Sequence, residues 1–229
     1  LPTLAEVYAG LQATLSPAGE ALHLTVTTTS SADSIDQGGT APLWIDATRD
    51  LARIETIGHV SIAGMDVTFE TTSLTAQGVH YTLYREPESR LDTVRSQGCY
   101  GVVASVTTIL GCQGPTENST TTAEWGNWQG QPALVLITIG TSRGSDEQFT
   151  FSVRTFLEPE TFLPLARRVE GTHSYGKVDT TSVYQHEFLD VAAIPADHFD
   201  PVALAIQRLD ATARSTPLYW FGARVQPLA

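Results

Sequence analysis

The sequence predicts a mainly β protein with a few helices (α+β), organised as one antiparallel sheet of about ten strands. Three observations carry this. From Leu43 to Arg95, short apolar/polar alternations are cut repeatedly by turn dipeptides. The connections between them are too short for crossover helices, so the strands run antiparallel. Helical spacing of apolar residues appears in only three places, and no blade or solenoid period is present.

Thr3 precedes Leu4, Val7, Tyr8, Leu11 and Leu15, an amphipathic stripe with an N-cap residue at its head and Glu6 in its first turn. Ser16-Pro17 ends that helix. Leu22, Leu24 and Val26 alternate with His23, Thr25 and Thr27, the period of a half-buried strand, and Ser30 to Thr40 reads as a polar loop. Strands are expected over 52–57, 59–62, 65–71, 79–84 and 90–94, with Ala63-Gly64, Gln77-Gly78 and Glu86-Pro87-Glu88 as turns. Val102, Val103, Val106, Ile109 and Leu110 recur at helical spacing between the two cysteines. Gln113 to Thr122 is a polar linker. Trp125 and Trp128 are read as sharing one face of a strand, capping a core edge. The unbroken apolar run Ala133 to Ile139 suits a strand covered on both faces. Strands over 148–157, 165–171 and 180–191 complete the sheet, Val202 to Ala213 forms a closing helix, and the aromatic cluster from Pro217 to Gly222 packs on the body or marks a further contact.

At 229 residues the chain suffices for one large β domain, expected over 1–213 with a tail over 214–229. The formal net charge of −12 excludes nucleic acid as a partner, because binding a phosphate backbone needs clustered Lys and Arg. Cys99 and Cys112 would close a short loop in an oxidising compartment, worth roughly 3 kcal/mol; buried thiols are the alternative. The pair has no C-x-x-C spacing and no bracketing histidine, so no metal site is expected. No leader and no apolar run of spanning length is present, and the opening Leu1-Pro2-Thr3 reads as a trimmed precursor that continues beyond Ala229 in one of the readings below.

The motifs for chemistry are weak. Gly140-Thr141-Ser142-Arg143-Gly144 matches a nucleophile elbow by letter, but the elbow needs a helix directly downstream and Gln148 to Leu157 reads as a strand; a hairpin tip is the better account. Six histidines are scattered, and the adjacent pair His186-Glu187 points to opposite faces of a strand. No catalytic residue, cofactor or metal is assigned.

The stretch FLEPETFLPLARRVEG (Phe156 to Gly171), followed by YQHEFLDVAAIPADHFDP (Tyr184 to Pro201), resembles the bacterial lipoprotein-carrier and lipid-binding lipoprotein superfamily (LolA/LppX/LprG-like). Glu158 stands where that family usually has Asp. The resemblance implies a curved antiparallel half-barrel with helices on its concave face, enclosing a hydrophobic cavity. It implies a non-catalytic protein of the cell envelope (periplasm or outer face of the cytoplasmic membrane), tethered natively by an N-terminal lipid, that binds or carries lipids or lipoprotein acyl chains, with an envelope protein as a further partner. Val60, Ile62, Met65, Val67, Phe69, Tyr81, Leu83, Val135, Ile137, Phe149, Phe151 and Val153 lie at alternating positions and are expected to line the cavity from one side of the sheet. An acyl chain gains roughly 0.8 kcal/mol per buried methylene, so holding it needs no catalytic group. The alternatives are an envelope-stress sensor built on the same half-barrel and a secreted esterase or glycosidase.

Overall fold

The computed structural model describes residues 1–32, 35–62, 65–84, 90–95, 98–111, 118–143, 148–173, 176–207, 218–220 and 223–225. Its centre is a single 11-stranded antiparallel sheet that does not close into a barrel, the half-barrel arrangement expected. In chain order the strands are β1 (Glu20–Ala32), β2 (Ile35–Asp46), β3 (Leu51–Ile62), β4 (Met65–Ala76), β5 (Val79–Tyr84), β6 (Arg90–Arg95), β7 (Ser119–Trp128), β8 (Gln131–Arg143), β9 (Gln148–Leu157), β10 (Pro164–His173) and β11 (Gly176–Asp190). The first six form one meander and the last five another. The two join where β1 pairs with β11, from Glu20↔Asp190 to Ala32↔Val178, so the first and last strands lie at the middle and β6 and β7 at the edges. A short pair, β12 (Leu218–Trp220) with β13 (Ala223–Val225), stands outside this sheet.

Helix α1 (Leu4–Thr14) starts on the cap the sequence announces. The Glu6 amide donates to Thr3 Oγ1 (3.3 Å) while the Thr3 amide donates to Glu6 Oε2 (2.7 Å), a reciprocal capping box. Its Val7, Tyr8 and Leu11, with Leu15 just beyond, are wholly buried, worth about 1.5–3 kcal/mol apiece. Helix α2 (Ala104–Leu110) has no side chain of its own at the N-cap. Distant residues serve instead: the Val103 amide donates to Gln12 Oε1 (2.9 Å) and the Ser105 amide to Asp50 Oδ1 (2.8 Å). Tyr8 Oη donates to the Gly111 carbonyl, fixing one helix to the end of the other.

Both helices pack on one face of the sheet, here the inner face. Leu22, Leu24, Ile45, Leu134, Leu136 and Leu157 are wholly buried beneath them. On the outer face a second cluster joins Leu74, Ala76 and Leu83 to Phe199 and Leu204. Residues 191–207, a 3-10 turn (Val191–Ala193) and a helical stretch over 201–207 (α3), therefore fold back across the outside of β2 to β6. Arg53 helps hold them, its guanidinium donating to the His198 carbonyl (2.7 Å), and His198 meets Trp44 edge to face with centroids 4.4 Å apart. The expected helix over 202–213 is borne out in its first part; the remainder lies outside the described residues.

Several expectations are corrected. Ser30 to Thr40 is no loop: β1 runs to Ala32 and β2 starts at Ile35. Hydroxyls of β1 bond across the sheet, Thr28 Oγ1 with Ser182 Oγ (2.9 Å) just before this segment and Ser30 Oγ with Thr180 Oγ1 (2.7 Å) at its start, so a polar stretch makes a central strand. The strands expected over 52–57 and 59–62 are one element, β3. The expected linker loses its last residues to β7. Trp125 and Trp128 are three apart, so the pleat sends them to opposite faces: Trp125 is exposed, and Trp128 packs on Phe156 with centroids 4.9 Å apart. In β8, Ala133 to Leu136 are buried on both faces as expected, whereas Ile139 is exposed.

Candidate functional site

Register fixes which residues share the inner face. Leu22, Leu24 and Val26 of β1 lie there, and with them Ile45, Leu43 and Ala41 of β2 and Phe188, His186 and Tyr184 of β11. Extending the rows through the hairpins places Ala52 and Ile54 of β3, and Leu157, Thr155 and Val153 of β9, on the same side. The helices fill the end of this face nearest Leu22. Beyond Val26 the strands continue, and the inner rows change character. At the centre run the bonded hydroxyl pairs Thr28 with Ser182 and Ser30 with Thr180. On one flank stand Val153, Val169, Phe151 and Val178, and on the other the register positions of Val60, Ile62, Met65, Val67 and Phe69. Val153 is buried yet belongs to neither packed cluster, and Thr138 and Thr155 beside it are buried as well.

The twelve residues expected to line a cavity divide between the faces. Val60, Ile62, Met65, Val67, Phe69, Phe149, Phe151 and Val153 occupy inner-face positions; the side chains of the first five and of Phe149 lie outside the described ones. Tyr81, Leu83, Val135 and Ile137 occupy outer-face positions. Leu83 is wholly buried against the 191–207 segment, and Val135 lies under Gly126. The single-sided lining is corrected in this respect. For Tyr81 and Leu83 the reason is the turn Gln77-Gly78, whose residues have φ of 52° and 72° and which pairs Ala76 with Val79. That register puts Tyr81 opposite Leu74, away from the row of Phe69.

The strand that follows the family-like turn carries a feature the sequence reading passed over. Arg167 and Arg168 are adjacent in β10, so they point to opposite faces. Arg168 faces out and grips Asp179 with two bonds (3.1 and 2.6 Å) and Glu170 at 3.2 Å. That pairing holds the Asp179 carboxyl below its ordinary range. Arg167 faces in, between Thr155 of β9 and Ser182 of β11. Among the described residues its Nε is buried without a hydrogen-bond partner, and so is Thr155 Oγ1. Burial pushes the Tyr184 phenol up, and Arg167 nearby partly opposes the rise. Two arginines in succession on a strand with one buried face are the signal that could have found this residue.

Elsewhere the motifs are ordinary. Gly140 to Arg143 end β8, and the chain continues into the antiparallel β9, so the G-x-S-x-G letters lie in a hairpin; the Ser142 side chain and Gly144 lie outside the described residues. His186 and Glu187 diverge as expected, His186 toward Glu158 (3.6 Å) and Glu187 to His23 (2.8 Å). Among the described residues no group of three or more His, Cys, Asp or Glu could hold a metal, and no helix is long and apolar enough to cross a membrane. Cys112 lies outside the described residues, and with it the expected bridge to Cys99. Three open clefts of about 410, 480 and 340 Å³ lie around the far end of β8 to β11, between Arg49 and the 191–201 segment, and at the Glu158–Thr161 turn.

No family model matches the chain, and no curated protein does. Among solved structures, a DUF1329 family protein from Desulfovibrio piger aligns over 87% of this chain and 97% of its own at 8% identity, with a TM-score of 0.34. A LolA superfamily protein from Nitrosomonas europaea aligns over 88% and 99% at 10% identity, with a TM-score of 0.35. A β-barrel-like DUF1849 protein from Brucella abortus aligns over 75% and 98% at 8% identity, with a TM-score of 0.27. The fold itself rests on the strand order and register given above.

Proposed function

We propose that this protein is a non-catalytic lipid-binding protein of the cell envelope, which holds acyl chains against the inner face of its open sheet beyond the reach of its two helices. One observation carries the reading: the inner rows run on past Val26 to the level of Ala32 and Val178, with apolar register positions on both flanks of the hydroxyl strip, while the helix-packed core stops short of them. Among the described residues, 191–207 cover the outer face of β2 to β6, and this supports placing the ligand on the inner face. Reversible burial of hydrocarbon there needs no reacting group, since each methylene contributes roughly 0.8 kcal/mol. A periplasmic location, a native lipid anchor and an envelope protein partner belong to the same proposal through the family resemblance.

Organic extraction of the natively purified protein followed by mass spectrometry tests it. The proposal predicts acyl lipid recovered in near-stoichiometric amount. Recovery of none, with no uptake when a long-chain fatty acid is added, counts against it.

A further inference from the structure

Building on the acyl-binding reading above, we infer that Arg167 is the headgroup residue of the site and that the ligand is an anionic acyl lipid, its carboxylate or phosphate oxygens seated between Arg167, Thr155 and Ser182. The argument begins with charge. The chain has 25 acidic residues against 13 Lys and Arg, so an arginine has many potential partners. Yet along β8, β9 and β10, and along β1 and β11 from Leu22↔Phe188 to Ser30↔Thr180, no inner position holds a carboxylate. Asp179 and Glu170 are on the other face with Arg168. Glu158, in the turn after β9, is taken by Thr161 Oγ1 (2.6 Å) and His186 (3.6 Å). Among the described residues Arg167 is thus the one inward guanidinium of this part of the sheet, with its Nε buried and unbonded.

Arg167 is half-buried, and it is the Nε–H that is costly in that condition, because a buried N–H keeps its desolvation penalty until an acceptor arrives. Thr155 Oγ1, its register neighbour, is buried and unbonded too. Both groups therefore await the same kind of partner, an oxyanion that accepts from both. The hydroxyls of Ser182 and Thr28 continue the polar row beside them, and Val153 and Val169 begin the apolar one in the next inner row. A polar end next to an apolar track suits a molecule with a charged head and a hydrocarbon tail. The planar fork of Arg also matches carboxylate and phosphate oxygens better than a lysine would.

The test uses delipidated protein titrated separately with a long-chain fatty acid, with its methyl ester and with inorganic phosphate. The wild type is expected to bind the acid about tenfold more tightly than the ester, the range of one charge-assisted hydrogen bond. Arg167→Gln brings the acid down to the affinity of the ester; Arg167→Lys keeps part of the preference; Arg168→Gln keeps all of it. Equal affinities in the wild type, or a preference that survives Arg167→Gln, overturns the headgroup assignment while leaving acyl binding intact. Saturable phosphate binding lost in Arg167→Gln, with acid and ester held alike, assigns a free anion and overturns it too. Binding of neither acid nor ester removes the acyl reading and this inference with it. The wild-type comparison of acid with ester decides the matter even if a variant fails to fold.

Discussion

Leu83→Ala separates two accounts of the same residue. If Leu83 lined a ligand cavity, as its place in the alternating pattern suggests, truncation would weaken lipid binding and leave stability nearly untouched. The structure instead seats it, wholly buried, in the cluster that joins Leu74 and Ala76 to Phe199 and Leu204. Removing three carbons forfeits about 2.4 kcal/mol of transfer free energy, at about 0.8 per methylene. The hole left beneath residues 191–207 adds to this, bringing the total to about 3–4 kcal/mol, within the range of buried Leu→Ala changes. With a urea dependence of about 2–3 kcal/mol per molar for a chain of this size, the unfolding midpoint should fall by about 1–2 M. Equilibrium urea unfolding followed by tryptophan fluorescence reads that shift, and a parallel titration with fatty acid should show unaltered affinity. A loss of stability below about 1 kcal/mol together with weakened ligand binding would refute the outer-face assignment.

Two other perturbations probe separate parts of the account. Burial holds His198 below its ordinary imidazole range; Arg53 and His23 push the same way, while Glu55 and Asp197 oppose them, so the folded state prefers it neutral. Its contribution is therefore complete above the unfolded pKa of about 6.5 and is lost as pH falls below it, and the urea midpoint should drop from about pH 7 to about pH 5. His80, lowered by burial, acts in the same direction, so His198→Gln should flatten the slope without abolishing it; a midpoint that rises on acidification contradicts this. Gly140→Ala would place a Cβ 2.7 Å from Phe151 Cζ and 2.8 Å from the Asn118 carbonyl oxygen. That oxygen is held by the Thr141 amide (2.8 Å), so relief is restricted and about 1–3 kcal/mol should be lost, measured by thermal unfolding; an unchanged midpoint would show that β7 yields freely.

The parts legible in the sequence were those where pattern and local chemistry agree. Thr3 with Glu6 declares the start of α1 because the cap is a contact between neighbours, and the spacing of Val106, Ile109 and Leu110 declares α2 in spite of indifferent helix formers. Ser30 to Thr40 was illegible because its strand identity comes from partners such as Thr180 and Asp179, far along the chain, and not from apolar alternation. The division of the apolar residues between faces was partly readable. Gln77-Gly78 is a two-residue turn, and counting outward from it already sets Leu83 opposite Thr72. What no local count reveals is that β11 returns beside β1, because that pairing joins the ends of two meanders. Arg167 belongs to both categories: its inward direction follows from its neighbour Arg168, but its lack of a carboxylate depends on which strands flank β10.

The claim that a ligand lies on the inner face beyond the helices is tested most directly by intermolecular nuclear Overhauser contacts between a bound fatty acid and the protein's methyl groups. The account predicts contacts from the acyl methylenes to Val153, Val169 and Val178 and to the γ-methyls of Thr28 and Thr180. Contacts instead to Ile137, Ile139 and Val183, which stand on the outer face, or to Phe199 and Leu204 beneath the C-terminal segment, would contradict it.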